Sequence, residues 1–104
     1  LLQDGFVMAW GSDDSGQVGN GAIDSNVESP VTVNGLSGVT AIAAGYFHSL
    51  AVLDNGNVEA WGWNQYGELG DGTKVDAGVP LPVTVSGLNG VVALAGGEYF
   101  SLAL

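Results

Sequence analysis

Gly38-Val-Thr-Ala-Ile-Ala-Ala-Gly-Tyr-Phe-His-Ser-Leu-Ala-Val-Leu-Asp-Asn-Gly-Asn-Val-Glu-Ala-Trp-Gly62 decides the fold of this chain. It reads as three short strands joined by two tight turns: Val39–Ala44, Ser49–Leu53 and Val58–Trp61. Gly45 punctuates the first break and Asp54-Asn55-Gly56-Asn57 the second. An Asn-Gly pair between apolar runs predicts a type I′ hairpin turn, with positive φ at both central residues.

Working outward, the flanks of this stretch repeat it. Leu2-Gln-Asp-Gly-Phe-Val-Met-Ala-Trp-Gly11 aligns with Leu53-Asp-Asn-Gly-Asn-Val-Glu-Ala-Trp-Gly62. Gly16-Gln-Val-Gly-Asn-Gly21 aligns with Gly67-Glu-Leu-Gly-Asp-Gly72, and Pro30-Val-Thr-Val33 with Pro82-Val-Thr-Val85. Ser49-Leu-Ala51 returns as Ser101-Leu-Ala103, and nearly half of the aligned positions are identical. The chain divides into repeat 1 over residues 2–52 and repeat 2 over residues 53–104. Further strands are predicted at Val7–Trp10, Val31–Val33, Val83–Val85, Val91–Ala95 and Ser101–Leu104, with Pro30 and Pro82 at strand starts. No segment holds a helical period over ten residues. The Ala-rich strands suit close approach of backbones near a central axis.

Composition excludes several function classes. The chain has 104 residues, 11 carboxylates, one Lys, no Arg and a formal net charge of −10. Such a surface repels phosphate backbones and anionic membranes, so neither nucleic acid nor membrane is an expected partner. There is no Cys, hence no disulfide and no thiolate metal site. No apolar run approaches a membrane span and no secretory leader is visible. The chain opens on Leu1 rather than Met, which suggests processing or excision from something longer. An acidic, Lys-poor, Cys-free chain points toward a prokaryotic extracellular setting.

Four short antiparallel strands repeating at about 50 residues describe β-propeller blades. The fold class expected is all-β. Gly-x-Val-x-Ala-Trp-Gly, then Gly-x-Leu-Gly-Asp-Gly-Thr, Pro-Val-x-Val-x-Gly-Leu and Ala-Ala-Gly-x-x-His-Ser-Leu-Ala resembles the regulator of chromosome condensation repeat, twice over. Repeat 1 departs from that pattern at Val18, Asn20 and Ala22. The resemblance implies that a blade runs from the Ala-rich inner strand outward to the Pro-Val strand. Val39–Val85 is then one complete blade, flanked by two half-blades. Half-blades leave strand edges and apolar faces open, so they are expected to be completed by flanking repeats or by other copies of the chain. Leu1 and Leu104 both align with Val52, which keeps the repeat in phase from the end of one copy to the start of the next.

The residues that could carry chemistry read mostly as structural. Trp10 and Trp61 are expected to anchor blades, each indole N–H paired to a carbonyl. Tyr46, Phe47, Tyr99 and Phe100 are expected to pack between blades. Trp63 stands where repeat 1 has Ser12, and with Tyr66 it is the candidate partner-binding pair. His48 is replaced by Phe100 in repeat 2, and the resemblance implies a structural hydrogen bond between strands. His48 and Ser49 point to opposite faces and make no nucleophile–base dyad. Asp13, Asp14 and Asp24 share one loop, as do Glu68, Asp71 and Asp76. Oxygen-rich loops can hold Ca²⁺, but neither has EF-hand or β-roll spacing, and acidic solvated loops are the expectation. The glycines of Gly16–Gly21 and Gly67–Gly72 lack the Lys and helix of a phosphate loop. No cofactor and no enzymatic activity are expected. The function expected is a protein-interaction or scaffolding module. The alternatives are a head-to-tail subunit of a ring or extracellular filament and, as the family also implies, guanine-nucleotide exchange on a small GTPase. Two blades lacking basic elements fit the last reading poorly.

Overall fold

The computed structural model describes residues 1–104 as eight strands and no helix. In chain order they are β1 (Met8–Asp13), β2 (Asp24–Thr32), β3 (Val39–Ala44), β4 (His48–Leu53), β5 (Val58–Trp63), β6 (Gly78–Thr84), β7 (Leu94–Gly96) and β8 (Ser101–Ala103). They form three antiparallel sheets: β1-β2, β3-β4-β5-β6 and β7-β8. The all-β expectation therefore holds, with one complete four-stranded blade between two half-blades.

The turn at Asp54–Asn57 differs from the expected type I′. Gly56 has φ of +80°, but no residue other than glycine has positive φ. Gly56 N–H donates to Leu53 C=O at 2.9 Å, and Leu53 N–H donates to Asn57 C=O at 2.9 Å. This is a three-residue loop, a type I turn closed by a left-handed glycine. Asn55 keeps negative φ in it, and its Oδ1 accepts the N–H of Asn57 at 3.0 Å, a local side-chain bond that supports this loop.

The outer strands begin earlier than their apolar residues suggest. β2 starts at Asp24 and β6 at Gly78, so Pro30 and Pro82 lie inside strands rather than at their starts. The pairing explains how. Ala9 faces Val31 but Gly11 faces Val27, and Ala60 faces Val83 but Gly62 faces Val79. Each outer strand thus bulges opposite a tryptophan, and the prolines sit in the bulge, where no ladder N–H is required. Both are edge strands in this chain; in β2 the polar residues face solvent, which erases the apolar alternation that marks a strand in sequence, and in β6 Pro80 and Pro82 interrupt an apolar run that otherwise reads as a strand.

β7 is shorter than the predicted Val91–Ala95. Val91 N–H is instead drawn to Gly56 C=O at 3.2 Å. Pairing with the last strand continues irregularly, Val92 N–H to Leu104 C=O at 2.8 Å and Leu104 N–H to Ala93 C=O at 3.0 Å. The inner strands do approach closely: a Cβ on Gly96 would lie 2.5 Å from Gly45 N. Tyr46 N–H bonds across to Gly97 C=O at 3.3 Å.

The core lies between blades rather than within one. Val7, Val33, Leu36, Val39, Ala51 and Trp61 join β1-β2 to the central blade. Leu50, Ala60 and Leu69, with Val52, Val58 and Val91, line its other face. Only 21 of 104 residues are buried, which is little for a chain of this length. The molecule is a flattened slab of 34 × 31 × 19 Å.

Candidate interaction site at the blade junctions

Each blade junction is organised by a loop carbonyl. In the first, the backbone C=O of Gln17 accepts the indole N–H of Trp61 at 2.8 Å and the hydroxyl of Ser49 at 2.9 Å. The loop holding Gln17 is itself pinned by Asp13, whose Oδ1 accepts Val18 N–H at 2.9 Å. Gly19, at φ +79°, lies under the indole, and a Cβ there would come within 2.7 Å of Trp61 Nε1. Only glycine allows the ring to seat on the backbone. Trp61 is 2 % exposed. The expected anchor with its N–H on a carbonyl is therefore real for Trp61.

Trp10 departs from that expectation. It is 63 % exposed and no loop of this chain offers it a carbonyl. An indole of β1 reaches toward the loop of the blade before its own, and β1-β2 is the first piece of this chain.

The second junction repeats the design with a change. Asn64 replaces Asp13: its Oδ1 accepts Leu69 N–H at 3.2 Å, and its amide donates to Thr73 Oγ1 at 3.1 Å. The C=O of Glu68 accepts the Ser101 hydroxyl at 2.8 Å. His48 Nε2 lies 2.8 Å from the same Ser101 Oγ. Because that hydroxyl spends its hydrogen on Glu68, His48 is the donor and Ser101 the acceptor. This polarity is the reverse of a serine nucleophile facing its base. His48 ties β4 to β8, the structural interstrand bond expected of it. Burial lowers its pKa, partly offset by the nearby Glu68 carboxylate, so it is neutral near pH 7.

The aromatic residues fall differently from expectation. Tyr46, Tyr99 and Phe100 are 68 %, 44 % and 57 % exposed, and Phe47 is half-buried. Tyr46 turns to its own neighbour Phe47, edge to face at 4.5 Å, while Tyr99 packs across the blade junction. Tyr66 is exposed and meets Tyr99 edge to face at 5.2 Å. Trp63 ends β5 half-buried, its N–H on Phe47 C=O at 2.9 Å. The structure does not pair Trp63 with Tyr66; it gives Tyr66 to an aromatic cluster with Tyr99 beside Phe100.

The acidic residues do not converge. Asp13 is fully buried, Asp14 is exposed beside Ser12, and Asp24 opens β2 on the surface. Asp71 binds its own loop, accepting the Thr73 hydroxyl at 2.6 Å and N–H at 2.9 Å, and these bonds lower its pKa. Asp76 is exposed. No three of the chain's histidine and carboxylate side chains are placed to hold one metal ion.

Sequence reasoning missed the two loop carbonyls and their serines. A main-chain acceptor carries no side-chain signature. The available signal was indirect: the Gly-x-x-Gly loop and Ser-Leu-Ala both recur in the two copies.

Comparison with known proteins agrees with this geometry. The regulator of chromosome condensation (RCC1) repeat matches residues 4–52 and 55–104, and a second form of it matches residues 39–68. The chain is 38 % identical over 107 residues to the human E3 ubiquitin-protein ligase HERC2, covering 99 % of the chain and 2 % of that protein. It is 36 % identical over 89 residues to the ultraviolet-B receptor UVR8 of Arabidopsis thaliana, covering 84 % and 20 %. To the RCC2 homolog of Danio rerio it is 38 % identical over 106 residues, covering 98 % and 21 %. The chain thus spans about a fifth of these relatives or less. Among solved structures, yeast RCC1 (Prp20) bound to Kap60 superposes with a TM-score of 0.85 at 25 % identity, covering all of this chain and 27 % of that one. Human WBSCR16 superposes with a TM-score of 0.86 at 27 % identity, again covering all of this chain and 27 % of that one. The two repeat matches, the four-stranded blade and the indole-on-carbonyl junction together make this chain a segment of a β-propeller and a member of the RCC1 repeat family.

Proposed function

We propose that this chain is a non-enzymatic β-propeller module for protein–protein interaction or scaffolding, built of two repeats over residues 2–52 and 53–104. Its half-blades are completed by neighbouring repeats or by other copies. The observation that carries this reading is the split architecture, β1-β2 and β7-β8 each supplying half of what the central blade contains. The exposed aromatic cluster of Tyr66, Tyr99 and Phe100 supports a protein-contact face. Yeast RCC1 has been solved bound to Kap60, a precedent for protein binding by a protein that carries this fold. The inverted Ser101–His48 polarity argues against hydrolytic chemistry at the one histidine.

The test is a tandem chain carrying three copies of residues 1–104, compared with the single chain. Completion of the inner blades should raise the thermal midpoint and suppress binding of the dye ANS per repeat. A tandem chain no more stable than the single one, with unchanged dye binding, would sink the reading.

A further inference from the structure

We propose that the rim of the second junction binds an arginine-rich segment of a partner protein, with Tyr46, Tyr66 and Tyr99 stacking on a guanidinium and Glu98 pairing with it. The inference rests on the protein-interaction reading above and names the chemistry of the partner.

The face straddles a junction both of whose sides this chain contains. Tyr46 stands on the turn between β3 and β4, Tyr66 on the loop between β5 and β6, and Tyr99 on the turn between β7 and β8. Two contacts draw them together. Tyr46 N–H donates to Gly97 C=O at 3.3 Å, which ties one turn to the other. The rings of Tyr66 and Tyr99 meet edge to face at 5.2 Å. The Glu98 carboxylate beside the Tyr99 hydroxyl raises its pKa, and the Tyr66 and Tyr46 hydroxyls act in the same direction. All three tyrosines and Glu98 are exposed.

Packing does not require these side chains. Repeat 1 builds the matching loop with Ser12, Ser15 and Gln17 where repeat 2 has Trp63, Tyr66 and Glu68. The backbone is held the same way in both. Gln17 Oε1 accepts Ser15 N–H at 2.9 Å, and Glu68 Oε2 accepts Tyr66 N–H at 3.0 Å. A serine serves this loop as a tyrosine does, so the Tyr66 ring is available to a contact outside the chain. The exchange of Gln17 for Glu68 also sets a carboxylate against the Tyr66 backbone, and its Oε1 is buried with no hydrogen-bond partner.

Electron-rich ring faces with carboxylates among them select a cation that also presents a flat surface. A guanidinium meets both demands, since it stacks on a ring and keeps N–H groups for a carboxylate. The net charge of −10 draws basic segments toward the chain and speeds their encounter.

The test follows the fluorescence anisotropy of labelled hexa-arginine and hexa-lysine titrated with the single chain and, in parallel, with the three-copy tandem chain. Each inner face of the tandem chain has neighbours on both sides. The variants are Tyr66→Ser, which copies Ser15, Tyr99→Ser, Glu98→Gln and Asp24→Asn. All four positions are exposed, and an unchanged thermal midpoint verifies that each variant is folded. Hexa-arginine should bind roughly fivefold more tightly than hexa-lysine, which carries the same charge without the flat head. Each tyrosine substitution should weaken hexa-arginine binding by roughly fivefold, and Glu98→Gln by roughly threefold. Asp24→Asn removes the same charge from the surface of β2 and should change binding by less than about 1.5-fold. Equal affinity for the two peptides reduces the attraction to net charge and overturns the face. Binding that ignores both tyrosines, or falls equally with Glu98→Gln and Asp24→Asn, overturns it too, as does absence of binding to either chain. The stability of the tandem chain judges the module separately. A stabilised tandem chain with no preference for hexa-arginine overturns the face alone, and a tyrosine-dependent preference in the single chain stands whatever the tandem midpoint shows.

Discussion

Trp61 and Trp10 have the same local sequence, Ala-Trp-Gly, and opposite fates. One is 2 % exposed and the other 63 % exposed, because only Trp61 has a preceding loop to seat on. Replacing Trp61 with Ala should cost about 3–5 kcal/mol, as for a buried aromatic. Trp61→Phe keeps much of the apolar area and loses the bond to Gln17, about 1 kcal/mol beyond its packing loss. Trp10→Ala should change the stability of the single chain by less than about 0.5 kcal/mol. Urea unfolding of the three variants at low concentration checks the order. Asp13 offers a second contrast. Its Oδ2 is buried with no hydrogen-bond partner, whereas Asn64 at the matching position satisfies its amide on Thr73. Thr73 has Ala22 as its match in repeat 1, so Asp13→Asn exchanges an unpartnered oxygen for an amide without that hydroxyl, and stability should change by less than about 1 kcal/mol. Asp13→Asn combined with Ala22→Thr restores the Asn–Thr pair and should be the more stable of the two variants by about 1 kcal/mol in urea unfolding. His48 sets a pH response. Burial lowers its folded-state pKa, so the unfolded chain binds the proton more readily. Stability from neutral His48 is fully present above about pH 6.5, the unfolded value, and declines as pH falls below it. His48→Phe, which copies Phe100 of the other repeat, should flatten the stability profile between about pH 6.5 and 5, above the range of the carboxylates. Thermal midpoints across that window measure it.

Most strands were legible in the sequence, and the reasons for the exceptions are physical. β3, β4 and β5 fell where apolar runs bounded by Gly and Asn placed them, since buried strands write their burial into composition. β2 and β6 were legible only at their Pro-Val ends. In β2, Asp24 and Asn26 pair through backbone while their side chains face water, and such an edge leaves no apolar record; in β6 it is Pro80 and Pro82 that mask the strand. The Asp54–Gly56 turn was legible as a turn but not as a type. Asn55-Gly56 satisfies two turn geometries, and the bond from Asn57 N–H to Asn55 Oδ1 supports the one adopted. Gly56→Ala tests how tightly it is held. A Cβ there meets φ of +80° and Gly90 N at 2.7 Å, a backbone contact that cannot swing aside. The substitution should cost about 1–3 kcal/mol, read by chemical unfolding, with hydrogen exchange at Leu53 and Val91 amides faster than in the parent.

At the scale of the molecule, eleven carboxylates and one Lys sit on a slab with only 21 buried residues. Like-charge repulsion then takes a large share of a small margin. Raising salt from about 0.05 to 0.5 M should raise the thermal midpoint of the single chain, because the Debye length shrinks below the spacing of the loops. A midpoint insensitive to salt would place the carboxylates too far apart to matter. The sequence by itself determined the repeat, the all-β class and the resemblance to the family, because each follows from local pattern and its recurrence, and the resemblance in turn implied a complete blade between two halves. Only the tertiary structure decided which tryptophan is an anchor and which is exposed, that His48 donates to Ser101, and that two loop carbonyls organise the junctions. Those facts depend on which blade stands beside which. Identical residues in identical repeats acquire different surroundings at the two sides of the slab, and a sequence that repeats cannot record the difference.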